Sequence, residues 1–164
     1  MSVEVLASAW RAIEPQLPLL ITVLAVLIVL MAPLPGRGPV SSRKDEWRSF
    51  KFAARRAVMD RAGGRCEAPA LIVWGRCSEK ATDADHIYPW SRGGPTIVSN
   101  GQALCRRHNL SKGSLPPPWW LVLGLERRRE AYVPRGMAVR VSARVTEDDR
   151  RMRDRGDGAA NHRR

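Results

Sequence analysis

All three cysteines of this chain, and two of its three histidines, fall between residues 65 and 113. Cys66 and Cys77 are separated by ten residues, while Cys105 and His108 have the C-x-x-H spacing that sets two ligands on one side of a first helical turn. Three thiolates and one imidazole are a full tetrahedral zinc set of the structural kind. They use every thiol in the chain. A disulfide scaffold is excluded by the same count, because three cysteines cannot all pair with each other and the chain is not cysteine-dense.

The rest of the chain divides by charge. Residues 1–36 hold one Arg and two Glu, whereas residues 37–164 carry 27 basic and 14 acidic groups, so the net +12 of the 164-residue chain belongs to its second part. A pI near 11.1 makes a polyanion the expected partner. From Pro15 to Gly36 there is no charged residue, and twelve of the residues between Leu17 and Leu34 are Leu, Ile or Val. On the insertion scale those twelve favour a bilayer by about 4 to 7 kcal/mol. A cleaved signal peptide fits less well, since the leader contains Glu4 and Glu14 and the exit reads Ala32-Pro33-Leu34-Pro35. A buried core helix fits less well too, because the apolar surface runs all round the segment. A single-pass anchor over residues 17–35 is expected, after a leader at 1–16. Arg37, Arg43 and Lys44 follow it, which puts the C-terminal body in the cytoplasm, with reduced thiols.

Residues 36–45 are rich in Pro, Gly, Ser and charge and read as a tether, so a domain is expected over 46–115. Trp47, Phe50, Ala54, Ala57 and Val58 recur at helical spacing, with Arg48, Lys51, Arg55 and Arg56 between them, until Gly63-Gly64 stops the pattern. Residues 116–155 read as a helix–strand–helix extension. Trp119 to Val133 form its first helix with an Arg127-Arg128-Arg129 patch, Val139 to Val145 alternate like a strand, and Thr146 caps a final helix. Residues 156–164 read as a disordered tail. The fold class is α+β: an N-terminal transmembrane helix followed by a small domain with a structural zinc site. The length leaves no room for a large multi-domain enzyme.

Between the cysteines runs a composite motif: Asp85-His86-Ile87, Pro89, Ser91-Arg92-Gly93-Gly94, Asn100, Leu104-Cys105, then Asn109 and Lys112. This resembles the HNH endonuclease family over about 50 residues. The resemblance implies a ββα-metal core over roughly residues 79–113, with an Asp-His pair ending one strand, a central Asn in the loop, and an Asn on the helix where many relatives have His.

The resemblance implies that His86 is the general base, that Asp85 binds a catalytic divalent ion, that Asn109 is the second protein ligand, and that Asn100 braces the loop orienting His86. A neutral imidazole suits the base role at physiological pH. Oxygen ligands favour Mg²⁺ or Mn²⁺ at that position, beside a structural Zn²⁺ on Cys66, Cys77, Cys105 and His108. His108 can instead be read as the family's final catalytic His; the Cys105–His108 spacing favours zinc. Arg92, Arg106, Arg107 and Lys112 are candidate phosphate contacts to DNA, with affinity that falls steeply with salt. The expected function is a membrane-anchored nuclease that hydrolyses DNA phosphodiester bonds. Its rival is a noncatalytic zinc-bound nucleic-acid-binding module tethered to the membrane.

Overall fold

A computed structural model of the chain describes Glu4 and residues 10–153. The expected tail at 156–164 lies outside the described residues, as does most of the leader. The chain divides into two units, Met1–Ala32 and Pro33–Arg164.

The first unit is helical. A short 3-10 turn at Glu14–Gln16 leads into α1 (Leu17–Met31), and Trp10–Met31 is long and apolar enough to cross a membrane, with no part of it buried. At about 1.5 Å per residue its 22 residues span about 33 Å. The helix ends at Met31 rather than at residue 35. Ala32 turns extended (ψ 138°) ahead of Pro33, which disfavours helix in the residue before it.

The second unit is built on an antiparallel hairpin, β1 (Asp83–His86) with β2 (Gly101–Leu104), in the register Asp85 opposite Gln102 and His86 opposite Gly101. α2 (Phe52–Arg61) packs across it, burying Ala54 and Val58 against Ala103 together with Phe50, Ala62 and Ala81. Gly101 is what lets them close. A Cβ there would lie 2.4 Å from a Val58 methyl. α2 stops at the expected place, where Gly63 and Gly64 take left-handed backbone and the Gly64 N–H bonds back to the Met59 carbonyl.

Trp47 and Phe50 do not begin that helix. The Trp47 N–H bonds the Asp45 carboxylate and its carbonyl accepts from Thr96, so loop contacts claim the lead-in and Lys51 is still extended. After β2 come α3 (Arg106–Ser111) and α4 (Trp119–Glu130). α4 buries Val122 and Leu125 against Ile87, Tyr88, Val141 and Ala143. Residues 139–145 do alternate, with Val141 and Ala143 buried and Arg140 and Arg144 exposed, but they form no strand. Their backbone bonds go singly to Ser99 and Arg37 instead of to a ladder. Thr146 caps residues 147–153 as expected, exchanging hydrogen bonds with Asp149.

Two charged segments behave differently from their sequence reading. The stretch expected to be a free tether is packed on the body, with Arg37 paired to Glu126 at 2.5 Å and Asp45 to Arg153 at 2.5 Å, and just before it Pro33 bridges Pro118. The three arginines of α4 are not one patch either, because each residue turns about 100° around a helix. Arg127 is exposed, while Arg129 is fully buried on Glu67. Glu67, itself fully buried, accepts from Arg129 at 2.8 and 3.0 Å, from Tyr132 at 2.7 Å and from the Ala103 N–H at 2.9 Å. Burial by itself would raise that carboxyl; Arg129 and Arg61 overcome it and hold it at about 2. This buried network joins α2, the cysteine loop, β2 and α4.

Candidate active site and metal centre

The ligand atoms of Cys66, Cys77, Cys105 and His108 all lie within 4.8 Å of one another, and the three thiols are buried. His108 Nδ1 is 3.5 Å from the Cys66 sulfur and 3.2 Å from that of Cys105. Tetrahedral zinc, with bonds of about 2.0 to 2.3 Å, holds its ligands about that far apart. Cys105 sits at the N-cap of α3, one turn of helix from His108. Burial raises the Cys66 thiol to about 11. The Cys105 thiol is also opposed by burial, but the His108 and Arg107 N–H groups at the helix start bring it below its ordinary value. Thiols crowded this closely ionise together only around a cation, and the donor set fits zinc.

The ten residues between Cys66 and Cys77 form a folded excursion. Arg65 bridges Lys80, Cys66 N–H bonds Glu79, Cys77 N–H bonds Ala68, and Leu71 bridges Trp74 at the tip. Arg65 and Arg76 stitch its base by donating to the carbonyls of Cys77 and Cys66, at 2.8 and 3.0 Å. An unusual spacing is thereby compatible with a compact ligand set.

Beside this centre, Asp85, His86, Asn109 and Lys112 line one open pocket of about 280 Å³ together with Arg48, Trp90, Ser91 and Ser114. His86 is the last residue of β1, and His86 Nδ1 lies 3.9 Å from Asp85 Oδ1. The imidazole is buried, tilted against Phe50 with ring centroids 4.7 Å apart, and its Nε2 is 2.8 Å from the Thr96 hydroxyl. That hydroxyl gives its one proton to the Trp47 carbonyl, so toward His86 it accepts, and Nε2 carries the ring proton. Nδ1 is left as the basic nitrogen, on the Asp85 side.

Asp85 is about one-third exposed and receives the Lys112 ammonium at 2.6 Å; the same ammonium bonds the His86 carbonyl. Burial would raise the Asp85 carboxyl, but the Lys112 ammonium and the His86 backbone N–H oppose it and bring it below the ordinary carboxylate value. It is an ionised carboxylate at any ordinary pH. Asn100 is fully buried and bonds three times into the connection between the strands, accepting from Tyr88 N–H at 2.8 Å and donating to the Tyr88 and Pro95 carbonyls at 3.1 and 2.8 Å. Gly93 is left-handed (φ 85°), and at Gly94 a Cβ would strike the Tyr88 carbonyl at 1.9 Å. Arg106 and Arg107 project from α3 into solvent, and Arg92 is exposed while bonding the Ser114 carbonyl at 3.0 Å.

A hairpin ending in Asp-His, a braced connection, and a helix that shares its residues between thiols and pocket is the arrangement the motif implied. Residues 64–115 match the family model for HNH endonuclease. The HNH segment thus contains the cysteine–histidine cluster and all of the pocket except Arg48. No curated protein and no solved structure matches the chain.

Sequence reasoning missed what lies before the HNH segment and after it. Arg48 lines the pocket, yet it reads as one charge on a helix face. Asp45 holds the Thr96 N–H at 3.0 Å and is itself held by Arg153, which also bonds the Thr96 carbonyl at 2.8 Å. None of Asp45, Thr96 and Arg153 carries a local signal for this role, because their contacts cross 51 and 57 positions.

Proposed function

We propose that the chain is a membrane-anchored HNH endonuclease that hydrolyses DNA phosphodiester bonds with one divalent metal ion, and that His86 is its general base. The observation that carries this reading is the convergence of Asp85, His86 and Asn109 on one pocket within the HNH segment. His86 Nδ1 takes the proton of an attacking water. Thr96 keeps Nε2 protonated, so the ring presents one basic nitrogen, and Asn100 holds the connection that carries Thr96. The Asp85 carboxylate and the Asn109 carboxamide suit a hard cation, Mg²⁺ or Mn²⁺, which when bound offsets charge on the scissile phosphate and the leaving oxygen. Arg48, Arg92, Arg106, Arg107 and Lys112 offer cations around the pocket to the DNA backbone. The body lies on the cytoplasmic face, tethered through Trp10–Met31, whose length and apolarity support the anchor.

One observation favours the rival, a noncatalytic zinc-bound module that holds nucleic acid at the membrane: Lys112 already pairs with Asp85. The two readings part in a single assay. With Mg²⁺ or Mn²⁺ the purified protein is expected to cut single- or double-stranded DNA, and chelation of the added metal to stop it. Salt-sensitive binding without metal-dependent cutting selects the rival.

A further inference from the structure

The Cys66–Cys77 excursion carries its most apolar residues outward. Leu71, Ile72 and Trp74 are 68, 69 and 62% exposed. Ile72 also sits in left-handed backbone (φ 47°), a conformation that costs a β-branched residue energy. The tip is nonetheless fixed: Arg128 donates to the Val73 carbonyl at 2.6 Å, and Val73 packs on Gly124 of α4, where a Cβ would meet its side chain at 3.2 Å. Folding therefore holds these side chains in water at a cost that neither the cysteine cluster nor the pocket explains.

The tip borders a groove of about 410 Å³ whose other wall is Trp119, Trp120 and Leu123 of α4. Arg127 lies over the Trp74 ring at 5.6 Å, and the groove's only charged residues are Arg127 and Arg128, with no carboxylate among its lining. Indole rings beside the exposed Arg127 guanidinium match the layer where lipid tails meet phosphate headgroups. Chain connectivity supplies the second argument. Pro33 bridges Pro118, the residue just before Trp119, and Pro33 is only two residues beyond Met31, the last residue of the membrane-length helix. A helix that leaves a bilayer at Met31 delivers this part of the body to the headgroup layer.

We propose that Leu71, Ile72 and Trp74, with Trp119, Trp120 and Leu123, form a second membrane contact that seats in the headgroup region of an anionic bilayer. The contact rests on the anchor half of the function proposed above and is independent of the nuclease half. It orients the body on the membrane where a single helix alone would leave it free to rotate.

Residues 33–164 test this without the anchor, since every core cluster lies within them and α1 buries nothing. The fragment is sedimented with phosphatidylcholine vesicles with and without phosphatidylserine, beside an Ile72→Asn/Trp74→Ser double variant; Asn tolerates the left-handed position. Zinc content and near-ultraviolet circular dichroism report that both are folded. The fragment is expected to bind serine-containing vesicles at least about tenfold more tightly than the variant. Brominated lipid is expected to quench its tryptophan emission and to leave most of the variant's unquenched. Equal binding by both forms means attraction by charge alone and overturns the proposal. So does a concentration-dependent dimer that the double variant abolishes while bromine leaves wild-type emission unchanged, which would assign the groove to a second copy of the chain.

Discussion

Cys105 and His108 bring α3 to the thiol cluster, while Asn109 and Lys112 bring the same short helix to the open pocket. The two centres share an element and differ in closure. In the first, four ligand atoms face one another behind buried thiols, and the surrounding loop is stitched by arginine-to-carbonyl bonds. In the second, a carboxylate, an imidazole and a carboxamide border open space, and a lysine ammonium meets the carboxylate. A full ligand set spends its coordination on holding the chain; an incomplete one leaves positions for substrate and water. On the proposed function, the comparison teaches that residues 64–115 separate stability from chemistry across one short helix and its caps.

Chelating the structural metal should produce the largest effect. Structural zinc contributes on the order of 10 kcal/mol in small metal-held domains, so its removal is expected to abolish cooperative unfolding of the body, followed by circular dichroism during titration with a strong chelator. Cys105→Ser should act the same way, and a body that kept its melting transition would erase the distinction between the centres.

Next comes Glu67→Gln, which leaves Arg129 buried without its carboxylate and is expected to cost about 3 to 5 kcal/mol in denaturant unfolding. Asn100→Ala strips three hydrogen bonds from the connection between β1 and β2. A loss of about 2 to 3 kcal/mol is expected, with a larger proportional fall in cleavage than in zinc content. The smallest effect belongs to Arg106→Ala and Arg107→Ala. Each is expected to lower the salt slope of DNA binding by about 1 with stability unchanged, measured by binding titrations from low to high salt.

The parts of this architecture legible in the sequence are those written locally. Cys105 and His108 lie one helical turn apart, and the order Asp85-His86, Asn100, Asn109 follows a strand, a connection and a helix. The family match covers that same stretch, residues 64–115. The parts that escaped are long-range pairs between residues that read as ordinary surface charges. Arg129 reaches Glu67 across 62 positions and Arg153 reaches Asp45 across 108, and nothing in either neighbourhood marks them for burial. Residues 139–145 show the converse. The alternation matches the burial of Val141 and Ala143 and the exposure of Arg140 and Arg144, though not Val145, which is exposed, and it carries no information about whether a partner strand exists.

The central claim is that the open pocket performs hydrolysis with His86 as its base. It is tested most directly by single-turnover cleavage of supercoiled plasmid in Mg²⁺ or Mn²⁺, comparing wild type with His86→Ala at matched zinc content. The account predicts that His86→Ala loses about 10²- to 10⁴-fold in rate while its structural metal stays bound. Equal rates for the two proteins would contradict it.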